Sequence, residues 1–130
     1  MLDIDHFKRY NDEFGHLVGD ATLKEVASIL RSSLRKVDIV GRYGGEEFIM
    51  VIPETFEEGA HEVAERIRSN VARHTFKVYD VTTKVTASIG ISLFLGDELK
   101  EMQDEELSNL PSEIIRKADQ ALYKAKEEGR

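Results

Sequence analysis

The chain has 130 residues, of which 41% are hydrophobic and 33% are charged, with a formal net charge of −7 and no cysteine. This length and composition predict one soluble globular domain with a real core, and the negative charge argues against broad binding to nucleic acid or an anionic membrane. The absence of cysteine excludes a disulfide framework and a thiolate metal site, and it favours a cytoplasmic location. No apolar run approaches the roughly 18 residues of a membrane span, and the first residues lack signal-peptide character.

The first third of the chain is predicted to contain the end of a strand and two helices. Residues 2–5 alternate apolar and acidic side chains, as strands do. Asp5 is expected to cap a short helix over about 6–14, and Asp20 to cap a second helix that runs to about Lys36.

A β-hairpin is predicted next, because residues 43–48 read Tyr-Gly-Gly-Glu-Glu-Phe between two apolar runs. The consecutive glycines Gly44 and Gly45 allow the positive φ angles that a primed turn requires. Glu46 and Glu47 would then lie at the tip of the hairpin. By itself the hexapeptide fits two interpretations, an ordinary turn with solvated acids or carboxylates held on a rigid turn to bind a metal-bound phosphate.

In the second half of the chain, a third helix is predicted over 56–71 and two strands over 76–79 and 85–93. An acidic surface segment follows over 96–107, and a final helix has Pro111 near its start. Thr55 and Glu58 match a capping box for the third helix, and Pro111 fits the first turn of the last. The order β-α-α-β-β-α-β-β-α predicts an α+β sandwich, with one sheet and helices mainly on one face.

Acidic residues gather where the first strand meets the first helix. Asp3 and Asp5 are two residues apart, so a strand directs both side chains to one side, and the helix N-terminus beside them suits phosphate. If the first strand lies beside the hairpin, Asp3 approaches Glu46, and two nearby carboxylates repel unless a cation lies between them. Oxygen ligands without histidine or cysteine favour Mg²⁺ or Mn²⁺. We therefore expect Asp3 to bind metal and Asp5 to cap the helix.

Two further pairs of charged residues carry open alternatives. Lys126 and Arg130 are four residues apart and share one face of the last helix. They are either partners of the helix dipole or a phosphate clamp. Arg35 and Asp38, just ahead of the hairpin, are by themselves a weak signal that also fits a surface ion pair at a helix end.

Several spaced motifs together resemble the catalytic domain of the GGDEF family of diguanylate cyclases. They are Asp3-Ile4-Asp5-His6-Phe7-Lys8, Asn11-Asp12, Phe14-Gly15-His16, Gly19-Asp20, Arg42-Tyr43-Gly44-Gly45-Glu46-Glu47-Phe48, Ser88-Ile89-Gly90, Ala118-Asp119, and Tyr123-Lys124-Ala125-Lys126 with Gly129-Arg130. Glu46 stands where the family usually has Asp, a variant that its active members accept. The resemblance implies a ferredoxin-like or palm-like sandwich, with a mixed, mainly antiparallel sheet flanked by helices, related to nucleotidyl cyclases and polymerase palms.

The resemblance also implies an activity, the condensation of two GTP into cyclic di-GMP with release of two pyrophosphates in a domain dimer. Asp3, Glu46 and the backbone carbonyl of Ile4 would bind Mg²⁺ or Mn²⁺, with Glu47 assisting as a further catalytic residue. Asn11 would hydrogen-bond the guanine together with Asp20. The implied contacts to the phosphates come from backbone N–H groups, cations and closely approaching glycines: Phe7, Lys8, Lys126, Arg130, Gly44 and Gly45.

Regulation is implied as well, because Arg35 and Asp38 match the family's inhibitory product site and Arg66 resembles a secondary contact. Members of the family have a further helix and more of the first strand before the position of Met1. Residues 1–130 are therefore expected to form one domain that lacks this helix and part of this strand. Members usually follow a sensory domain, which can be attached to a membrane. Two alternatives stay open: a catalytically silent receptor for cyclic di-GMP or GTP, and a different nucleotide enzyme on the same fold. The net charge of −7 speaks against a nucleic-acid template.

Overall fold

A computed structural model describes residues 1–129 of the chain. The strands are β1 Leu2–Ile4, β2 Ile39–Arg42, β3 Glu47–Val51, β4 Phe76–Val78, β5 Val81–Thr83 and β6 Ala87–Ile89. The helices are α1 Phe7–Phe14, α2 His16–Ser33, α3 Glu57–Arg73 and α4 Asp104–Glu128, with a 3₁₀ helix at Gly96–Glu101. Within residues 1–129, no helix is both long and apolar enough to cross a membrane.

Four of the strands form the central sheet, in the order β2-β3-β1-β6. Each neighbouring pair is antiparallel, and β4 and β5 form a separate hairpin. The predicted α+β sandwich is therefore confirmed. The short strand β1 lies at the centre of the sheet, where it pairs with β3 on one side and β6 on the other.

Hydrophobic side chains cover both faces of this sheet. Leu2 and Ile4 point to one face and are fully buried in a core that includes residues of α1, α2 and α3. Met1 points to the other face, where it packs with Ala118 and Leu122 of α4. Helices thus lie on both faces, three on one and α4 on the other. This alternation follows from the two-residue period of a strand and leaves Asp3 facing the side of α4.

Asp5 does not cap the first helix, contrary to the prediction. His6 occupies the N-cap position of α1 in a left-handed conformation with φ 55°, and its side chain makes no capping hydrogen bond. The buried carboxylate of Asp5 instead accepts hydrogen bonds from Thr86 Oγ1 and Ser88 Oγ, both at 2.7 Å. Two hydroxyl donors from the neighbouring strand region satisfy this carboxylate more completely than one helix N–H group would, and they join the end of β1 to β6.

The second helix begins five residues earlier than predicted, with Gly15 rather than Asp20 at its N-cap position. Gly15, with φ 87°, ends α1 through a hydrogen bond from its N–H to Asn11 O, and α2 starts directly at His16. Asp20 is therefore inside α2 rather than at its N-cap. The helix ends at Ser33 rather than at Lys36, because Leu34 takes an extended conformation.

The second half also differs from the prediction at its helix starts. Thr55 Oγ1 donates to Pro53 O at 3.0 Å and does not cap α3, whose N-cap residue Phe56 is 79% exposed rather than inward-facing. The final helix starts at Asp104, so Pro111 lies inside α4 and not in its first turn. The Glu106 carboxylate accepts a hydrogen bond from the Gln103 N–H at 2.9 Å and stabilises this earlier start. The acidic segment 96–107 is thus partly helical.

The predicted strands of the second half are shorter than expected. Residues 76–78 form β4, as predicted, but they pair with β5 in a hairpin that the prediction lacked. Tyr79 turns this hairpin with φ 52°. The alternating segment 85–93 contributes only Ala87–Ile89 to the sheet, because β1 has only three residues for it to pair with.

Candidate active site

The acidic centre of the domain is built by the sheet register. Asp3 lies opposite Glu47 on β3 and opposite Ser88 on β6, and it is only 6% exposed. Glu46 precedes β3, and its carbonyl oxygen accepts a hydrogen bond from the Ile4 N–H at 3.3 Å. The predicted approach of Asp3 to the hairpin is thus present, with Glu47 rather than Glu46 as the direct cross-strand partner.

A lysine from the last helix pairs with one carboxylate of this acidic centre. Lys126 Nζ lies 2.7 Å from Asp3 Oδ1, with the two side chains 22% and 8% exposed. The pKa of the Glu47 carboxyl is raised, first by burial and then by the charges of Asp3 and Asp119, while Lys126 opposes this rise. Several carboxylates therefore compete for little positive charge at this point of the sheet, which creates a strong demand for a cation.

An open helix N-terminus lies beside the carboxylates. The left-handed turn at His6 reverses the chain from β1 into α1, and the first N–H groups of α1, at Phe7 and Lys8, have no partner within the helix. Such N–H groups, together with the positive end of the helix dipole, suit an anion. Both residues line a cavity of about 370 Å³ that also contains Asp3, Glu46 and Lys126.

The hairpin loop is held by an arginine, whose role the sequence did not reveal. Arg42 Nε donates to the carbonyl oxygens of Gly44 and Gly45, at 3.2 and 2.9 Å. Neither glycine has a positive φ, so the predicted primed turn is wrong. The loop is instead closed by a hydrogen bond from the Tyr43 N–H to Glu47 O at 2.8 Å. A side chain at Gly44 would come within 2.7 Å of Glu47 Oε2, whereas the surroundings of Gly45 are open to 4 Å.

The predicted base-binding residues lie where α1 meets α2. Asn11 packs its amide against Gly19, directly before Asp20. Among the described residues, Asn11 Oδ1 is buried without a hydrogen-bond partner, and Asp20 is exposed. A Cβ at Gly19 would overlap Asn11 Oδ1 and press on the Phe7 ring. The glycine at position 19 is therefore explained by close packing, because a side chain there would leave no room for this amide.

Arg35 and Asp38 form an ion pair remote from the acidic centre. Arg35 Nη2 lies 3.0 Å from Asp38 Oδ1 and also donates to Pro53 O at 2.7 Å. The pKa of Asp38 is lowered, chiefly because Arg35 donates hydrogen bonds to its carboxylate. Arg66 lies nearby, but its Nη2 donates to Ser33 O, at the C-terminus of α2. The pair lines a separate cavity of about 460 Å³.

The residues present fit a divalent cation. Within residues 1–129, no three His, Cys, Asp or Glu side chains converge as a metal cluster, but the predicted set needs only Asp3, Glu46 and the carbonyl of Ile4. All three residues line one cavity, and its donors are oxygen atoms, which Mg²⁺ and Mn²⁺ prefer. The buried Asp3 already pairs with a cation in the form of Lys126. Arg130, the other predicted phosphate ligand, lies outside the described residues.

The fold and this centre define an α+β domain of the palm type with an acidic site at the middle of its sheet. Residues 1–130 match the family described as "Diguanylate cyclase, GGDEF domain". The chain therefore belongs to the GGDEF domain family, as its motifs predicted.

Individual relatives agree with this assignment. The chain is 43% identical over 130 residues to diguanylate cyclase DgcP of Pseudomonas aeruginosa, and it covers 18% of that protein. It is similar to the active GGEEF domain of a diguanylate cyclase from Vibrio cholerae, with a TM-score of 0.79 and 39% identity over 99% of this chain and 75% of that one. The GGDEF domain of DgcB from Caulobacter crescentus, solved in complex with c-di-GMP, gives a TM-score of 0.82 and 31% identity, covering 99% of this chain and 71% of that one.

Proposed function

We propose that residues 1–130 form the catalytic domain of a diguanylate cyclase, which condenses two GTP into cyclic di-GMP and releases two pyrophosphates. The observation that carries this proposal is the meeting of Asp3, Glu46 and Lys126 with the open N-terminus of α1 around one cavity. Carboxylates can hold a cation there, while N–H groups and an ammonium group can hold a triphosphate. Nucleotidyl transfer needs this combination, because negative charge builds up on the phosphate oxygens during the reaction.

Mg²⁺ or Mn²⁺ would be held by Asp3, Glu46 and the carbonyl of Ile4. Such an ion, when bound, supplies Lewis-acid stabilisation of charge on phosphate oxygens. Glu47 is a candidate to accept a proton at this site, because burial and the charge of Asp3 raise its pKa.

The remaining site residues position the nucleotide. In each half-reaction, the 3′-hydroxyl oxygen of one GTP attacks the α-phosphorus of the other and gives up its proton, and the bond from that phosphorus to the pyrophosphate breaks. Asn11 and Asp20 bind the guanine. The groups that hold or make room for the phosphates are the N–H groups of Phe7 and Lys8, the cations Lys126 and Arg130, and the glycines Gly44 and Gly45.

Two copies of the domain are needed for this reaction, because each copy binds one GTP and the ring closes between them. Holding the two nucleotides face to face would lower the barrier by on the order of 7–11 kcal/mol. The chain spans less than a third of the length of relatives such as DgcP, which supports the proposal that an upstream sensory domain controls this pairing.

Product analysis tests the proposed function directly. The dimerised chain is incubated with GTP and Mg²⁺, or with ATP in a parallel sample, and the nucleotides are separated by chromatography. We expect cyclic di-GMP from GTP alone, and none from a Glu46→Ala control. A folded dimer that yields no cyclic dinucleotide, or that uses ATP equally well, would contradict the proposal.

Guanine recognition is expected to depend on Gly19. Gly19→Ala should improve the intrinsic helix propensity of α2 by up to about 1 kcal/mol, yet the added methyl group would displace the Asn11 amide. We expect KM for GTP to rise on the order of tenfold, as for the loss of one good polar contact. Steady-state kinetics measure the effect. Gly59→Ala, a helical glycine whose Cβ would lie 3.1 Å from a Thr55 methyl carbon, is the matched control, and equal KM values in both variants would contradict the prediction.

We also propose feedback inhibition by cyclic di-GMP at Arg35 and Asp38, with Arg66 as a neighbouring contact. Arg35→Ala should raise the inhibition constant of cyclic di-GMP about tenfold or more, because one charge-assisted contact is worth about 1.5–3 kcal/mol. The measurement is the initial rate over a series of added cyclic di-GMP concentrations. Arg68→Ala, which removes an exposed partner of Glu65 on α3, is the control, and an unchanged inhibition constant in Arg35→Ala would move the site elsewhere.

A second candidate function is a catalytically silent receptor for cyclic di-GMP. The intact Arg35–Asp38 pair favours it, because this cavity is independent of the acidic centre. A folded chain that binds cyclic di-GMP saturably but makes none from GTP with Mg²⁺ or Mn²⁺ would establish the receptor in place of the enzyme.

A further inference from the structure

The ion pair between Lys126 and Asp3 differs from the others that the described residues form. Both of its side chains are less than a quarter exposed, whereas in each of the other pairs at least one side chain is more than a third exposed. The pair joins the last helix to the central strand of the sheet. Its 2.7 Å separation places an ammonium group against the carboxylate that the proposed function assigns to a metal ion.

We propose that Lys126 is an exchangeable counter-cation, which neutralises Asp3 in the empty site and moves to the phosphates when metal and nucleotide bind together. The inference rests on the proposed function. An ammonium group and a divalent ion repel each other strongly when both lie within about 3 Å of one carboxylate. The lysine must therefore leave Asp3 before an ion can bind there.

The geometry of the site gives the ammonium group a second place to go. Lys126 lines the same cavity as Lys8, Phe7 and the open N-terminus of α1. Its flexible four-carbon stem lets the charge turn toward this cavity while the backbone of α4 stays in place. A triphosphate in the cavity would attract the ammonium group and so free Asp3 for a metal ion.

The consequence is a coupling between metal and nucleotide. Metal alone must displace Lys126 without compensation, so its affinity is reduced, whereas metal with a triphosphate meets no such competition. Linkage makes this coupling reciprocal, and nucleotide should therefore also bind more tightly when metal is present. The lysine discriminates in this way against metal bound without substrate.

Calorimetric titration with Mn²⁺ tests the inference without any turnover. The chain and its Lys126→Met variant are titrated first without nucleotide, then with a GTP analogue whose α–β bridge cannot be cleaved. Without nucleotide, we expect the variant to bind Mn²⁺ at least tenfold more tightly than the parent does. The increase in Mn²⁺ affinity that the GTP analogue causes should be smaller in the variant than in the parent. Lys124→Met removes an exposed lysine that pairs with Glu128, four residues further along α4, and this control should behave as the parent.

Thermal unfolding gives a second readout. Lys126→Met leaves Asp3 without its cation, so the variant should unfold at a lower temperature than the parent when metal is absent. Addition of Mn²⁺ should raise the unfolding temperature of the variant more than that of the parent. Mn²⁺ affinity that is equal or weaker in the variant, or no Mn²⁺ binding by either protein, would overturn the inference. If the parent still makes cyclic di-GMP in that case, the proposed function survives without the exchange, and if it makes none, both fail.

Discussion

Asp3→Asn is expected to lower the rate of cyclic di-GMP formation by about 10²–10³-fold, the loss found when one preorganised electrostatic contribution to transition-state stabilisation is removed. Asparagine keeps the size and shape of the side chain but removes the negative charge. The acidic centre would then retain Glu46 and Glu47 without the buried carboxylate between β3 and β6, and its affinity for a divalent cation should fall.

The measurements for Asp3→Asn are kcat with saturating GTP and Mg²⁺, and Mn²⁺ affinity by calorimetry. Asp80→Asn changes an exposed aspartate in the β4–β5 turn and serves as the control for charge alone. Thermal unfolding in the same buffer separates lost chemistry from lost folding, because Lys126 loses its partner in this variant. A folded Asp3→Asn protein that keeps turnover within threefold of the parent would remove Asp3 from the metal site.

Gly90→Ala is expected to destabilise the fold by about 1–3 kcal/mol, the usual cost of overpacking a core. Gly90 follows β6 and lies directly against α4. A Cβ there would overlap the carbonyl oxygen of Ala118 and the amide nitrogen of Leu122, which are backbone atoms that no change of side-chain rotamer can move. The helix must therefore shift away from the sheet.

This shift should also reduce activity, because Lys126 lies one helical turn beyond Leu122 and would lose its position over Asp3. Urea unfolding measures the change in stability, and kcat measured well below the unfolding temperature measures the change in activity. Gly96→Ala is the matched control, because nothing lies within 4 Å of a Cβ at that position. A Gly90→Ala protein as stable and as active as the control would show that α4 does not depend on this contact.

Several local features were predictable because they depend on near neighbours in sequence. The second helix, predicted to run from Asp20 to about Lys36, corresponds to most of α2, and the Gly-Gly pair predicted a hairpin between β2 and β3. The spaced motifs predicted the family, since they occur in the right order along nearly the whole chain. The predicted turn type was wrong, because neither glycine has a positive φ, and the loop carbonyls instead accept hydrogen bonds from Arg42, which lies outside the Gly-Gly pair.

The sequence by itself thus determined the family, the set of candidate residues and the order of the helices and strands apart from β5. Only the tertiary structure decided what each charged residue contacts. Asp5 resembled a helix cap until the pairing of β1 with β6 brought Ser88 against it, and Lys126 resembled a dipole partner until α4 packed across Asp3. The physical reason is common to both cases. Strand register and helix packing bring together residues more than 80 positions apart in sequence, as in Asp5 with Ser88 and Asp3 with Lys126. Because these carboxylates are buried, each must be satisfied by a donor or cation that the fold places beside it.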